Sequence, residues 1–305
     1  MIRDFESLLA AAQQINGKKV VVVFPNNEET LASVALACEK KLAEFILVGD
    51  QQIIREKFDM GGDLPDGASI VHQTDITGAL KAAVELIKGG TVDIVMKGGV
   101  DTSTFMKALL HEDTGLRTGR LLSDVLITEY PKRQDNQLLM ITDGGLNLTP
   151  DLKDKIEILK NAVEIAHALG NKLPKVAILS SSELVNPKLE SMVDAAIISK
   201  MNDRGQIKGC VIDGPLALDN AISVDAAQEK GIVSPVAGLA DILILPTIDA
   251  ANIFAKSASY FGGYRLAHCI AGSRIPILIP SRADKCDAKL LSIALGVIIS
   301  AAKSK

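Results

Sequence analysis

The stretch PILIPSRADKCDAKLLSIALG, residues 276–296, carries a strand, a polar turn and a helix in that order. Ile277, Leu278 and Ile279 form a short apolar run closed by Pro280, the pattern of a buried strand leaving a sheet. Leu290, Leu291, Ala294, Leu295 and Ile298 then recur at helical spacing and predict a core-facing helix. A strand that passes through a tight turn into a helix is the repeating unit of α/β architecture. Ser281 is expected at the helix entrance, where backbone N–H groups lack partners and the dipole favours an anion. Arg282 adds a planar fork able to hold two phosphate oxygens, and Asp287, one turn on, can accept a proton. The same residues also read as an ordinary helix start: Ser281 and Asp284 match a capping box, and first-turn acids suit the dipole.

The rest of the chain repeats this rhythm. Residues 2–15 read as a helix stopped by Gly17, KVVVVF (19–24) as a strand, 27–42 as a helix and EFILVG (44–49) as the next strand. ASIVHQ, a helix over about 75–88, and VDIVMKGG (92–99) follow. Such near-continuous apolar runs are typical of parallel strands covered on both faces. NQLLMIT, PKVAILS, the start of CVIDGPLALDNAIS and DILILP are further strands, with helices over about 150–169, 187–201, from about 219 and over 247–261, and RLAHCIA leads back to the opening stretch.

Two strand ends offer candidate binding groups. In KGGVDTSTFMKALL (97–110), Gly98 and Gly99 would let an oxyanion approach the backbone, and Thr102, Ser103 and Thr104 bring hydroxyls to the turn. A plain strand-to-helix turn with a Ser or Thr cap explains the same letters. In DGGLNLTPD (143–151), Asn147 offers an amide beside Asp143, again with a conventional turn as the competing explanation. Asp213, Asp219 and Asp249 fall at helix starts, as capping alone predicts.

Composition narrows the classes. The 305 residues are 48% hydrophobic and 23% charged, enough for two domains, and the net charge of −4 without a Lys/Arg run gives nucleic acid and anionic membranes nothing to bind. Four scattered cysteines and four scattered histidines form no CxxC or HExxH, so neither a disulfide frame nor a metal site is expected. MIRDFES carries early acids rather than a signal-peptide core, and the expected location is the cytoplasm.

Taken together and in order, GGVDTSTFMKALL (98–110), DGGLNLTPDL (143–152), DGPLALDNAIS (213–223), ADILILPTIDAANIFAK (240–256) and PSRADKCDAKLLSIALG (280–296) resemble the phosphate acetyl- and butyryltransferase family. The resemblance implies a two-domain isocitrate/isopropylmalate dehydrogenase-like fold with an active-site cleft between domains. It divides the chain into 1–128 plus 273–305 and 129–272, and makes it a homodimer or higher homo-oligomer. It also implies reversible acyl transfer between coenzyme A, as substrate, and phosphate, with no bound cofactor and no metal. By this match Ser281 and Arg282 are the active-site Ser-Arg pair and Asp287 the catalytic aspartate, although Ala288 replaces the second of two acids found in the acetyl enzymes. Lys107 stands where those enzymes carry an arginine, which keeps charge but loses the bidentate fork. Lys107, Thr102, Ser103, Thr104, Gly98, Gly99 and Asn147 are then the substrate- and phosphate-binding candidates, and PLALDN favours the butyryl branch. Two rivals remain at this point. One is a metal- and nicotinamide-dependent decarboxylating dehydrogenase using Asp213, Asp219 and Asp249; the other is a non-catalytic protein that binds CoA or an acyl phosphate.

Overall fold

The computed structural model describes residues 1–58, 63–133, 135–281 and 283–303. They form two compact units: a terminal unit, Phe5–Arg120 with Leu266–Lys305, and a central unit, Met1–Asp4 with Leu121–Arg265.

The terminal unit begins with α1 (Phe5–Gln13), β1 (Lys19–Val23), α2 (Glu28–Glu39), β2 (Glu44–Gly49), α3 (Gln51–Lys57), β3 (Ala68–His72), α4 (Ile76–Lys88), β4 (Ile94–Lys97) and α5 (Thr102–Leu109). Asn27, Asp50, Asp75 and Asp101 start α2, α3, α4 and α5, each accepting a first-turn N–H on its side chain. The chain then builds the central unit: β5 (Ser123–Glu129), β6 (Leu138–Thr142), α6 (Leu152–Ala168), β7 (Lys175–Leu179), α7 (Glu190–Asp203), β8 (Val211–Leu216), α8 (Leu218–Ile222), α9 (Val224–Glu229), β9 (Ile242–Ile244) and α10 (Ile248–Tyr260). It returns to the terminal unit as β10 (Leu266–Ala271), β11 (Ile277–Leu278) and α11 (Cys286–Lys303).

In the terminal unit the strands run β3-β2-β1-β4-β11-β10, all neighbours parallel except β10 with β11. The last-formed strand thus slots beside β4, with Ile277 opposite Val95 and Leu278 opposite Met96. Helix α11 packs against β10, α1 and α2 and is buried continuously from Lys289 to Ser300, which is why its apolar residues run all the way round. No helix among the described residues is long and apolar enough to cross a membrane.

In the central unit the order is β5-β6-β9-β7-β8, with β5 antiparallel to β6 and the others parallel. Its core gathers Leu139, Ile141, Leu179, Leu216, Val236 and Leu243. At the strand starts one buried carboxylate acts as a clip: Asp241 accepts from Arg133 (3.1 Å), Asn136 (3.0 Å), Asn171 (3.0 Å) and the Lys175 N–H (2.9 Å). The chain crosses between units at 4/5, 120/121 and 265/266, the last two earlier than the crossings expected at 128/129 and 272/273. The reason is local: β5 hydrogen-bonds to β6, and β10 pairs with β11 and packs on α11.

Helices α6 and α7 are tied by Lys155 Nζ and Asp194 Oδ2 at 2.6 Å, both residues buried. Removing one partner strands the other charge in the interior. Asp194→Ala should therefore lower the unfolding free energy in urea by about 3–5 kcal/mol, while Lys155→Met with Asp194→Leu should recover most of that loss.

Candidate active site

Strands β1, β4 and β11 are adjacent and parallel, so their carboxyl ends leave the terminal unit's sheet side by side. Neighbouring strands lie about 4.8 Å apart, and such strand ends are where open α/β sheets bind ligands. Three connections leave there: residues 24–27 after β1, 98–101 after β4, and the described residues 279–281 and 283–285 after β11. Lys97, Gly98, Gly99, Thr102, Ser103, Thr104, Lys107, Ser281 and Asp287 all belong to this edge. Asn147 belongs to the central unit, and Arg282 lies outside the described residues.

The glycines serve a different purpose from the one expected. The N–H of Gly98 donates to Val23 O (2.9 Å) and that of Gly99 to Phe24 O (2.7 Å). A Cβ on Gly98 would lie 2.6 Å from both of those carbonyl oxygens, and one on Gly99 would collide with Asn26 Oδ1. What approaches the bare backbone is the protein's own β1 turn, in which Phe24 adopts φ +57°, so neither N–H is open to an oxyanion.

The hydroxyls after β4 are also engaged. Ser103 Oγ donates to Asp101 Oδ1 (2.7 Å), as does the Thr104 N–H (2.8 Å). Hydrogen bonds from Thr104, side chain and backbone, and from Ser103 hold the Asp101 carboxyl well below the usual carboxylate range. The start of α5 therefore carries a permanent negative charge. Ser103, Thr104 and Lys107 nonetheless share one exposed helix face, by their three- and four-residue spacing. Lys97 is buried and donates to Val100 O (3.2 Å).

After β11 the expected helix entrance at Ser281 is displaced: α11 begins at Cys286, and the Cys286 N–H donates to Glu29 Oε2 at 2.6 Å. Ser281 and Asp284 are joined outside the helix instead. Asp284 Oδ2 accepts the Ser281 N–H (2.7 Å), and the Asp284 N–H donates back to Ser281 O (3.1 Å). Ser281 is exposed, as is Asp287 in the first turn of α11. His268 Nε2 stands 3.6 Å from Asp284 Oδ2. Burial raises the pKa of Asp284, but His268, the Ser281 N–H and Lys289 outweigh it and leave the carboxyl below its ordinary value. Lys289 is buried and donates to Ser281 O (3.4 Å) and Asp284 O; burial pushes its ammonium downward, against Asp284 and Glu29. The Cys286 thiol is pushed up by burial, then by Glu29 and Asp287, so it is a poor source of thiolate.

Glu29, His268 and Lys289 were not singled out by the sequence patterns. Two of them leave a signal there: a histidine inside the apolar RLAHCIA and a lysine beside Leu290 and Leu291 are polar letters at core positions.

In the central unit Asn147 Nδ2 donates to Leu122 O (2.8 Å) and to Asp143 Oδ2, while Asp143 also accepts the N–H groups of Gly145, Leu146 and Asn147. Burial, then Asp124, raises the Asp143 carboxyl. The three carboxylates of the dehydrogenase alternative each have local engagements: Asp219 pairs with Lys230 (3.0 Å), Asp213 accepts the Gly214 N–H, and Asp249 is exposed at the start of α10. Among the described residues no three His, Cys, Asp or Glu side chains group as metal ligands. A cavity of about 1440 Å³ lies along α2 and α3, lined by Leu36, Arg55 and Phe58, and includes none of the described candidate residues.

Residues 71–297 match the family model described as phosphate acetyl/butaryl transferase. The chain is 43% identical to a phosphate butyryltransferase of Clostridium beijerinckii over 99% of both chains, and 40% identical to a phosphate acetyltransferase of Thermotoga maritima over 93% of this chain and 96% of that one. Among solved structures, a branched-chain phosphotransacylase from Enterococcus faecalis superposes with a TM-score of 0.81 at 29% identity, covering 93% of this chain and 99% of that one. These likenesses correct the expected isocitrate/isopropylmalate dehydrogenase-like fold: the α/β fold is that of the phosphotransacylases. Strand–helix rhythm specifies parallel α/β layers but not the strand order that separates one such fold from another. With its model match, its full-length relatives and its fold all agreeing, the chain belongs to the phosphate acetyl/butaryl transferase family.

Proposed function

We propose that this protein is a phosphate acyltransferase that interconverts a short-chain acyl-CoA and phosphate with an acyl phosphate and CoA, butyryl-CoA being the leading substrate. The observation that carries this reading is likeness along the whole chain to both a butyryl and an acetyl transferase. A phosphate oxygen attacks the thioester carbonyl, the C–S bond breaks, and sulfur leaves with the electron pair. In reverse, the CoA thiol gives up its proton and attacks the acyl phosphate, releasing phosphate. No covalent enzyme intermediate or resident cofactor is required.

Exposed Asp287 suits the role of base for the CoA thiol, whose free pKa is about 8.5. The Ser281 hydroxyl, at the same strand end, can donate to the carbonyl oxygen as charge develops. The observed capping changes where phosphate should be held. Asp101 caps α5 and Glu29 accepts the first N–H of α11, so a phosphate at either of these helix starts would meet the protein's own carboxylate. Side-chain cations must do this work, and Arg282 and Lys107 are the candidates from the sequence. Thr102 and Thr104 could add contacts on the same edge. Assembly as a homodimer and a cytoplasmic location complete the reading.

Three outcomes test it. Phosphate-dependent CoA release should be measurable with butyryl-CoA, compared against acetyl- and isobutyryl-CoA, and should be unchanged by EDTA; no release from any of them ends the proposal. Ser281→Ala and Arg282→Ala should each lower kcat/KM about a hundredfold, equivalent to roughly 3 kcal/mol of transition-state stabilisation. Cys286→Ala should keep activity within a few-fold of the parent, whereas a loss above about a hundredfold would indicate a thiol nucleophile.

A further inference from the structure

Ser281 is exposed, follows Pro280 and lies outside any helix or strand, so neither a backbone ladder nor packing of its own side chain fixes it. Its hydroxyl accepts the Ala283 N–H at 3.4 Å, and its backbone is held by groups of Asp284 and α11. The Asp284 carboxylate accepts its N–H, and the Lys289 ammonium donates to its carbonyl and to that of Asp284. Lys289 is only 2% exposed and stands next to buried Leu290 near the start of α11. A buried ammonium is costly unless its donors are satisfied, and a leucine at this position would suit the helix better. Irregular turns also leave carbonyls without ladder partners, and one ammonium with three donors can satisfy two of them at once.

We propose that Lys289 is a positioning residue for Ser281: from inside the unit it holds the carbonyls of Ser281 and Asp284 and so fixes the Ser281 hydroxyl where the reacting carbonyl must sit. Asp284, steadied by His268 at 3.6 Å, completes the clamp from the N–H side, and Glu29 fixes the next residue boundary at Cys286. The geometry stands by itself, while the effect on rate rests on the acyl-transfer reading of Ser281.

The test replaces Lys289 by methionine, which retains the apolar stem and removes the donors. Amide hydrogen exchange over the 281–286 turn should quicken about tenfold or more, with β4 and β10 unchanged, because only the turn loses its clamp. Turnover should fall about ten- to a hundredfold in kcat, with KM for acyl-CoA and phosphate moving less than about threefold, since misplacement of a catalytic group leaves ground-state binding intact. In a Ser281→Ala background the same substitution should cost less than about threefold, the sign that both act through one interaction. Unaltered exchange in the turn, or an equal loss of kcat in both backgrounds, overturns the proposal. If the methionine variant fails to fold, Lys289→Gln, which keeps an N–H donor, is read by the same exchange measurement. A parent protein with no turnover would defeat the acyl-transfer reading alone, because the exchange result is obtained without substrate.

Discussion

The site depends on one pairing: β11, formed after the chain's excursion through the central unit, enters the terminal unit's sheet parallel to β4. Without that register the 281–287 segment would not share an edge with the turn after β4. Loop-closure entropy grows only logarithmically with loop length, so a long excursion costs little more than a short one. What holds the returning strand is burial. Leu290, Leu291, Ile293, Leu295 and Val297 of α11 are almost wholly removed from water, and each such side chain contributes about 1.5–3 kcal/mol of transfer free energy. A helix buried on every side then serves as the rigid floor on which the exposed turn is mounted.

Charge at this edge is arranged against the simplest phosphate site. Helix starts attract anions, yet α5 and α11 both meet the protein's own carboxylates, Asp101 and Glu29. A substrate phosphate at either end would meet a like charge as well as the dipole. Selectivity then falls to side-chain cations, whose reach can follow a phosphate that is bound in one state and released in the other. Burial, then Glu29 and Asp287, push the Cys286 thiol upward beside a site that handles another thiol. That arrangement limits competition between the protein's sulfur and the substrate's.

Most strands were legible because a strand covered on both faces must be apolar throughout, as in KVVVV and EFILVG. SDVLITE, β5, was missed: it pairs antiparallel with β6 across YPKRQDNQ, a connection without the two-residue turn that announces a hairpin. Helix α3 was missed because its seven residues are too few to establish a period. The candidate residues after β4 and β11 were legible as strand-end chemistry, but their local duties were not. Gly98 and Gly99 admit a neighbouring turn rather than a ligand, a fact fixed by β1 some seventy residues earlier in the chain. The Ser281–Asp284 pair matches a capping box by its letters, yet a capping box needs the helix to start there. Here α11 starts at Cys286, whose N–H meets Glu29 from a distant part of the chain, while Lys289 of the first turn reaches back to Asp284 O.

Charged letters at core positions were the least exploited signal and the most informative. Lys155 with Asp194, and Arg133 with Asp241, bind elements of the central unit together, and apolar pairs of similar volume can often replace such bridges without loss of stability. The Lys289 cluster differs in what it touches. Its partners are the backbone carbonyls of a turn, together with a carboxylate that itself grips the same turn, so its energy goes into fixing a conformation rather than joining two elements. Catalysis by aligned donors requires a group that does not have to reorganise when charge develops. An exposed serine on an irregular turn meets that requirement only if the turn is held from the buried side, which is where Lys289, Asp284 and His268 stand.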